Sequence, residues 1–308
     1  MVECNKEAEA LQKLRALMAE NEIDAFVLFH DDSHMSEYIA PCDERIAFIS
    51  GFCGSNAACV VTQEEALMWT DSRYWLAAAK ELHAGWTFMK MGPDPAWFVW
   101  VADKLKDAES KVIGWDWSQY DVSRFDVRKK HFDEKGVTIK SVDNLVDLVW
   151  TDRPARPLKD VFIHELQYAG QSVFEKYDNV AKKMEGVDFL LLTALDEVAW
   201  LLNLRGSDID YNPVFFSYLI FNVKEKSSTL FIEASKVQWI GKYLEEHKVT
   251  VSPYEDIESA LSELAKAGKK VAADLTKCNA RLHPIIKDNF EDKQKCVDLL
   301  KACKNKTE

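Results

Sequence analysis

VAWLLNLRGS (198–207) lies without gaps against IAFISGFCGS (46–55), sharing an alanine and the terminal Gly-Ser. The landmarks around both stretches repeat in the same order. DFLLLT (188–193) answers DAFVLF (24–29), and KKVAAD (269–274) answers SKVIGWD (110–116). Between them, SYLIFNVKEKSSTLFIE reproduces the strand, polar turn and strand of ACVVTQEEALMWTD. Unrelated α/β domains share a helix–strand rhythm, but they need not share an ungapped segment. The chain is therefore read as α/β, with two similar domains, each a mixed β-sheet flanked by helices.

Outward from the repeat, helical and extended patterns alternate. Ala8, Leu11, Leu14, Leu17 and Met18 mark one face of an opening helix that Asn21 can close. AFVLF (25–29), IAFIS (46–50), NAACVV (56–61) and ALMWT (66–70) read as strands. A helix starts near Ser72, with Leu76, Ala79 and Leu82 at helical spacing, and Asp94-Pro95 reads as an N-cap followed by proline at the first helical position. KVIGW (111–115) is a further strand, and Gly136 ends the basic helix after it. TDRPARPLKD (151–160) combines two prolines with alternating charge, so it can neither continue a helix nor sit in a central strand. It separates a domain over 1–155 from a second over 156–308. Beyond it, Ser172 and Glu175 have capping-box spacing for a helix that Gly186 terminates.

Composition narrows the function classes. The 308 residues carry Lys+Arg 39 against Asp+Glu 51, a formal net charge of −12. Such a chain repels a phosphate backbone unless it segregates a basic face, which argues against nucleic acid as partner. No apolar run approaches the roughly 20 residues a bilayer span needs, so no membrane partner is expected. MVECNKEAEALQKLRALM alternates charge with apolar residues and does not read as a signal peptide. Seven Cys, an odd number without a CxxC pair, read as reduced thiols in a cytoplasmic protein.

Three segments carry candidate chemistry. In His30-Asp31-Asp32-Ser33-His34, two His at i, i+4 could share a metal ion on one helix face, but the segment follows a strand directly, and a polar loop is the expectation. In Trp69-Thr70-Asp71-Ser72-Arg73-Tyr74, Asp71 or Ser72 can cap a helix, which puts Arg73 in its first turn. The macrodipole disfavours a cation there, so Arg73 needs an anionic partner, either a protein carboxylate or a ligand carboxylate. Trp69, Tyr74 and Trp75 could line a peptide-sized pocket, though core packing is the commoner fate of aromatics at such a junction. Asp196 and Glu197 open a short helix, where negative charge is favoured. No GxSxG, HExxH or P-loop pattern occurs.

SEYIAPCDERIAFISGFCGS, MWTDSRY, NLVDLVWTDRP and TALDEVAWLLNLRGSDIDYNPVFFSY together resemble the three-domain cytosolic aminopeptidase P family, the Xaa-Pro aminopeptidases. The resemblance spans essentially the whole chain. It implies a creatinase/prolidase-type N-terminal domain, ribonuclease H-like in fold, up to the TDRP linker, and a related middle domain after it. In that family a third, pita-bread domain holds two divalent metal ions, usually manganese, through two Asp, one His and two Glu. None of those ligands can be assigned here. The resemblance therefore implies a piece of a longer metallo-exopeptidase, without catalytic residues, metal ligands or cofactor of its own. The parent would cleave short peptides with proline in second position and pair as a homodimer. Arg73 matches the arginine through which the N-terminal domain contacts the bound peptide, a substrate-binding role. The alternative is a non-catalytic protein-binding module, like the pita-bread relatives in histone-chaperone subunits.

Overall fold

The computed structural model describes residues 2–308, with side chains from residue 9 onward. Two compact units emerge. Unit 1 comprises Met1–Asp32 with Pro41–Ala155, and unit 2 comprises Ser33–Ala40 with Arg156–Glu308. The assignment of 33–40 to unit 2 had no signal in the sequence.

Unit 1 runs α1 (Val2–Glu20), β1 (Ala25–Phe29), α2 (Arg45–Ser50), β2 (Ala58–Thr62), β3 (Ala66–Thr70), α3 (Trp75–Glu81), β4 (Thr87–Lys90), α4 (Trp97–Lys104), β5 (Val112–Trp115), α5 (Val122–Glu134), β6 (Thr138–Ser141) and α6 (Leu145–Val149). Its six strands lie in the order β4-β3-β2-β1-β5-β6. β1 pairs antiparallel with β2 and parallel with β5. β2 is antiparallel to β3, while the two outermost pairings, β3 with β4 and β5 with β6, are parallel. β1, β2 and β3 are buried at every residue, so helices must cover both faces. Leu11, Leu14 and Met18 of α1 pack on one face with Phe26 and Leu28, while the side chain of Ala8 lies outside the described residues. Elsewhere in the unit Phe29, Trp97, Trp115 and Tyr120 form an aromatic cluster, with ring centroids 4.4–5.5 Å apart.

Unit 2 contains β7 (Phe162–Ile163), α7 (Leu166–Ala169), α8 (Val173–Lys183), β8 (Phe189–Leu192), α9 (Leu195–Leu201), β9 (Leu204–Arg205), β10 (Tyr218–Asn222), β11 (Ser227–Phe231), α10 (Gly241–Glu246), β12 (Val249–Ser252), α11 (Ile257–Lys266), β13 (Val271–Ala273), α12 (His283–Ile286), β14 (Phe290–Asp292) and α13 (Cys296–Ala302). The main sheet has the order β12-β11-β10-β8-β13-β14. Its pairings match those of unit 1 strand for strand: β8 is antiparallel to β10 and parallel to β13, β10 is antiparallel to β11, and the outer pairings are parallel. The duplication read from 46–55 and 198–207 is thus a duplication of topology. The capping box at Ser172 and Glu175 is present with both halves formed.

Three local expectations change. IAFIS is not a strand but the body of α2. Its Ile46 and Ile49 are buried one turn apart, and Gly51 closes it in the left-handed conformation at φ 81°. A five-residue apolar run suits either state, and the three-residue spacing of the buried positions decides for the helix. Next, α4 is capped at Ala96, not at Asp94, whose carboxylate instead accepts from the Lys90 backbone N–H at 2.6 Å. Finally, Leu76 of α3 is exposed, and Ala78 is the residue that α3 buries.

The shared Gly-Ser has a steric reason. A Cβ at Gly206 would sit 2.7 Å from Phe215 Cβ and 2.8 Å from the Val214 carbonyl oxygen. At Gly54 it would collide with the rings of Phe52 and Tyr74. Both turns are built around a close approach that only glycine permits. Gly206→Ala is therefore expected to lower unfolding free energy by about 1–3 kcal/mol, because backbone cannot yield as a side chain can. Gly241→Ala, with nothing within 4 Å of the added carbon, should be neutral or slightly stabilising in the same denaturation series.

Candidate functional site

In unit 1, β3 ends at Thr70 and the chain turns through Asp71–Tyr74 before α3 begins at Trp75. Arg73 thus lies ahead of the helix rather than in its first turn, the N-cap position being Tyr74. Its guanidinium is 63% exposed and meets the Asp71 carboxylate as a fork, Nε to Oδ1 and Nη2 to Oδ2, both at 2.8 Å. The Arg73 backbone N–H also donates to Asp71 Oδ1 at 3.1 Å. Asp71 is held from its other side by Asn56, whose Nδ2 donates to Oδ2 at 2.8 Å. The fork and its hydrogen bonds hold the Asp71 carboxyl well below the usual carboxylate range.

The surrounding turn is equally well tied. The Ser55 and Tyr74 hydroxyls meet at 2.7 Å, and Trp75 donates its indole N–H to the Thr70 carbonyl at 3.1 Å. Trp69, by contrast, is buried core and donates to the Pro95 carbonyl at 2.8 Å. The Arg73 ring-facing side lies 5.0 Å from the Tyr74 centroid. Its Nη1 meets no protein acceptor among the described residues. The arrangement presents a planar cation at the surface, its orientation set from behind by a carboxylate. The sequence points to Arg73 and leaves its partner open between a protein and a ligand carboxylate; Asn56 carries no such signal, lying fifteen residues before Asp71 and reaching it because β2 and β3 are a hairpin.

The His30–His34 stretch is a loop, as expected, and its two histidines fall in different units. His34 is buried in unit 2, with Nδ1 2.7 Å from the Thr193 carbonyl and Nε2 2.7 Å from the Tyr254 hydroxyl. Both ring nitrogens are therefore engaged by protein groups. Among the described residues, no group of three or more His, Cys, Asp or Glu is placed to hold a metal ion.

Asp196 and Glu197 do open α9. Asp196 pairs with Lys301, while Glu197 is buried 3.4 Å from Lys277, which also reaches Asp298 at 3.0 Å. Burial pushes the Glu197 carboxyl up to about 8; Lys277 opposes that shift, and the neighbouring acids Asp298 and Asp196 add to it. This is a structural charge cluster inside unit 2.

A family model described as "Creatinase/Prolidase N-terminal domain" matches residues 11–149, and a second model of the same description matches residues 152–308. A protein named "Probable Xaa-Pro aminopeptidase P" from Coccidioides posadasii is 41% identical over 266 residues, covering 84% of this chain and 43% of that protein. A protein of the same name from Laccaria bicolor is 40% identical over 311 residues, covering 97% and 48%. Among solved structures, an X-prolyl aminopeptidase from Caenorhabditis elegans, described as a cytosolic enzyme with a di-nuclear active site, superposes with a TM-score of 0.92 at 33% identity. That match covers 98% of this chain and 52% of the nematode protein. The chain spans about half the length of the relatives it matches.

Two measurements check the geometry. In Asp71→Asn the charged half of the fork is lost, so the Arg73 Nε–H signal in nitrogen-15 NMR should broaden and exchange faster with water, while the fold stays intact; an unchanged signal would mean that Asp71 does not orient the guanidinium. Glu197 remains protonated in the fold up to about pH 8, whereas an unfolded chain ionises it near 4.5. Between those values the unfolded chain holds fewer protons, so this group's contribution to stability falls as pH rises. Glu197→Gln cannot ionise, and its melting temperature should exceed that of the wild type at pH 8 and approach it near pH 4.5.

Proposed function

The chain belongs to the creatinase/prolidase N-terminal-domain family, matched in both halves, and from this we propose that it forms the non-catalytic N-terminal and middle domains of an Xaa-Pro aminopeptidase. In this reading the domains run over 1–155 and 156–308. They wall the cleft that admits the N-termini of short peptides with proline in second position. The observation that carries it is the match of nearly the whole chain to half of the nematode X-prolyl aminopeptidase. The tertiary amide before proline defeats most peptidases, and a hydroxide held by divalent metal is the chemistry suited to it. The residues of this chain do not supply a metal site among those described. The nematode neighbour's description as di-nuclear supports two divalent ions, manganese in this reading, held in the longer protein outside this chain.

Arg73 is the residue of this chain we assign to substrate, as a fork for a peptide carbonyl or carboxylate. Its support is the fixed, outward geometry: Asp71 and Asn56 restrain the guanidinium while leaving Nη1 available. The description of the nematode neighbour as cytosolic supports a cytoplasmic location. No helix among the described residues is long and apolar enough to cross a membrane. Homodimerisation is part of the proposal through the resemblance alone. The matched relatives are named as aminopeptidases, so the protein-binding alternative gains no support from them.

The purified 308-residue chain should show no Xaa-Pro hydrolysis with or without added Mn²⁺; metal-dependent turnover by this chain would overturn the assignment. In the longer protein, Arg73→Ala should lower kcat/KM by the equivalent of about 1–3 kcal/mol, the range for a charged hydrogen bond. Wild-type kinetics in that variant would leave Arg73 a purely structural residue.

A further inference from the structure

Unit 2 contains a cavity of about 500 Å³ whose wall carries more positive charge than its own carboxylates neutralise. Lys176, Arg205, Lys301 and Lys304 line it against Asp196 and Glu308. Lys301 is paired with Asp196, so the other three cations face Glu308 alone. In a chain of net charge −12 this is a local inversion of sign.

The cationic centre is built into the fold. Lys176, on α8, is only 2% exposed. Its ammonium donates to two neutral oxygens, the Trp200 carbonyl at 2.7 Å and Asn203 Oδ1 at 2.6 Å. It also lies 4.4 Å from the Trp200 ring centroid. Asn203 holds the left-handed conformation at φ 49° and gives its own Nδ2–H to the Gln171 carbonyl at 2.8 Å, which turns Oδ1 towards the lysine. An ammonium has three hydrogens, and the third meets no protein acceptor among the described residues. A buried ammonium with no carboxylate in hydrogen-bond contact is costly; burial brings the Lys176 amine down to about 8, Glu308 opposing that shift and Lys304 adding to it. Arg205, on β9, makes no ion pair among the described residues. His164, on the same wall, has its pKa lowered by burial and then by Arg205 and Lys176, so both cations act on one space. Leu204, Pro213 and Val214 supply apolar wall.

We propose that this cavity binds a compact oxyanion carried on a small organic body, a carboxylate or a phosphate ester, with Lys176 donating its remaining N–H and Arg205 closing on the anion as a planar fork. The bound anion supplies the counter-charge that the two carboxylates of the wall leave unmet, and the apolar wall takes the organic part.

The test is titration calorimetry on the 308-residue chain at constant ionic strength with benzoate, phenyl phosphate and inorganic phosphate. Saturable binding of benzoate or phenyl phosphate is expected, weakened about tenfold or more by Lys176→Met and by Arg205→Gln, and unchanged by Lys242→Gln on the exposed surface. The tighter of the two organic anions identifies carboxylate or phosphate ester as the source. Inorganic phosphate binding alone would overturn the organic body. No saturable binding of any of the three, or binding that survives both substitutions, would overturn the site. Arg205 lies on an exposed position, so its variant keeps the test decisive should Lys176→Met fail to fold.

Discussion

Each sheet depends on a central strand, β1 or β8, that is antiparallel to one neighbour and parallel to the other. An antiparallel neighbour can follow through a short polar turn, as β3 follows β2, whereas a parallel neighbour demands a crossover long enough to carry helices. Because the central strands are buried on both faces, those helices cannot lie on one side only. Both units share this arrangement, with the same order of six strands.

The two units then diverge at corresponding places. After β3, the turn through Asp71–Tyr74 presents Arg73 outward. After β11, the strand that corresponds to β3, the chain makes a short 3-10 turn, Ala234–Val237, and Lys236 points inward to pair with the buried Asp208. The same backbone junction therefore serves an exposed cation in one unit and a buried ion pair in the other. Removing one partner of such a buried pair strands the other charge, which is why it acts as a structural lock rather than as a contact for ligand.

Charge placement is where function enters. An exposed arginine held by one carboxylate in water contributes little to stability. Its geometry is nonetheless restrained through Asp71, Asn56 and the Ser55–Tyr74 hydroxyl pair. Lys176 poses the opposite case: deep burial, neutral oxygens for partners and a cavity beside it. Burial works against the charge at Lys176; at Arg73 the carboxylate favours it.

Periodicity and punctuation in the sequence were enough to determine the duplicated α/β plan, the strands at AFVLF and ALMWT and the Ser172–Glu175 capping box, because those signals are local and repeat. Arg73 stands out in the sequence as a cation beside a capping residue at a strand's end, but the first helical turn expected for it begins only at Trp75. The helical state of IAFIS, the membership of 33–40 in unit 2, the Asn56 support for Asp71 and the Lys176 cavity were settled only in three dimensions. The last two require residues distant in sequence to meet, fifteen apart for Asn56 and Asp71 and twenty-seven for Lys176 and Asn203. Hydrogen-bond satisfaction and burial are properties of the assembled chain, and no local pattern of residues encodes which distant oxygen will face a buried ammonium.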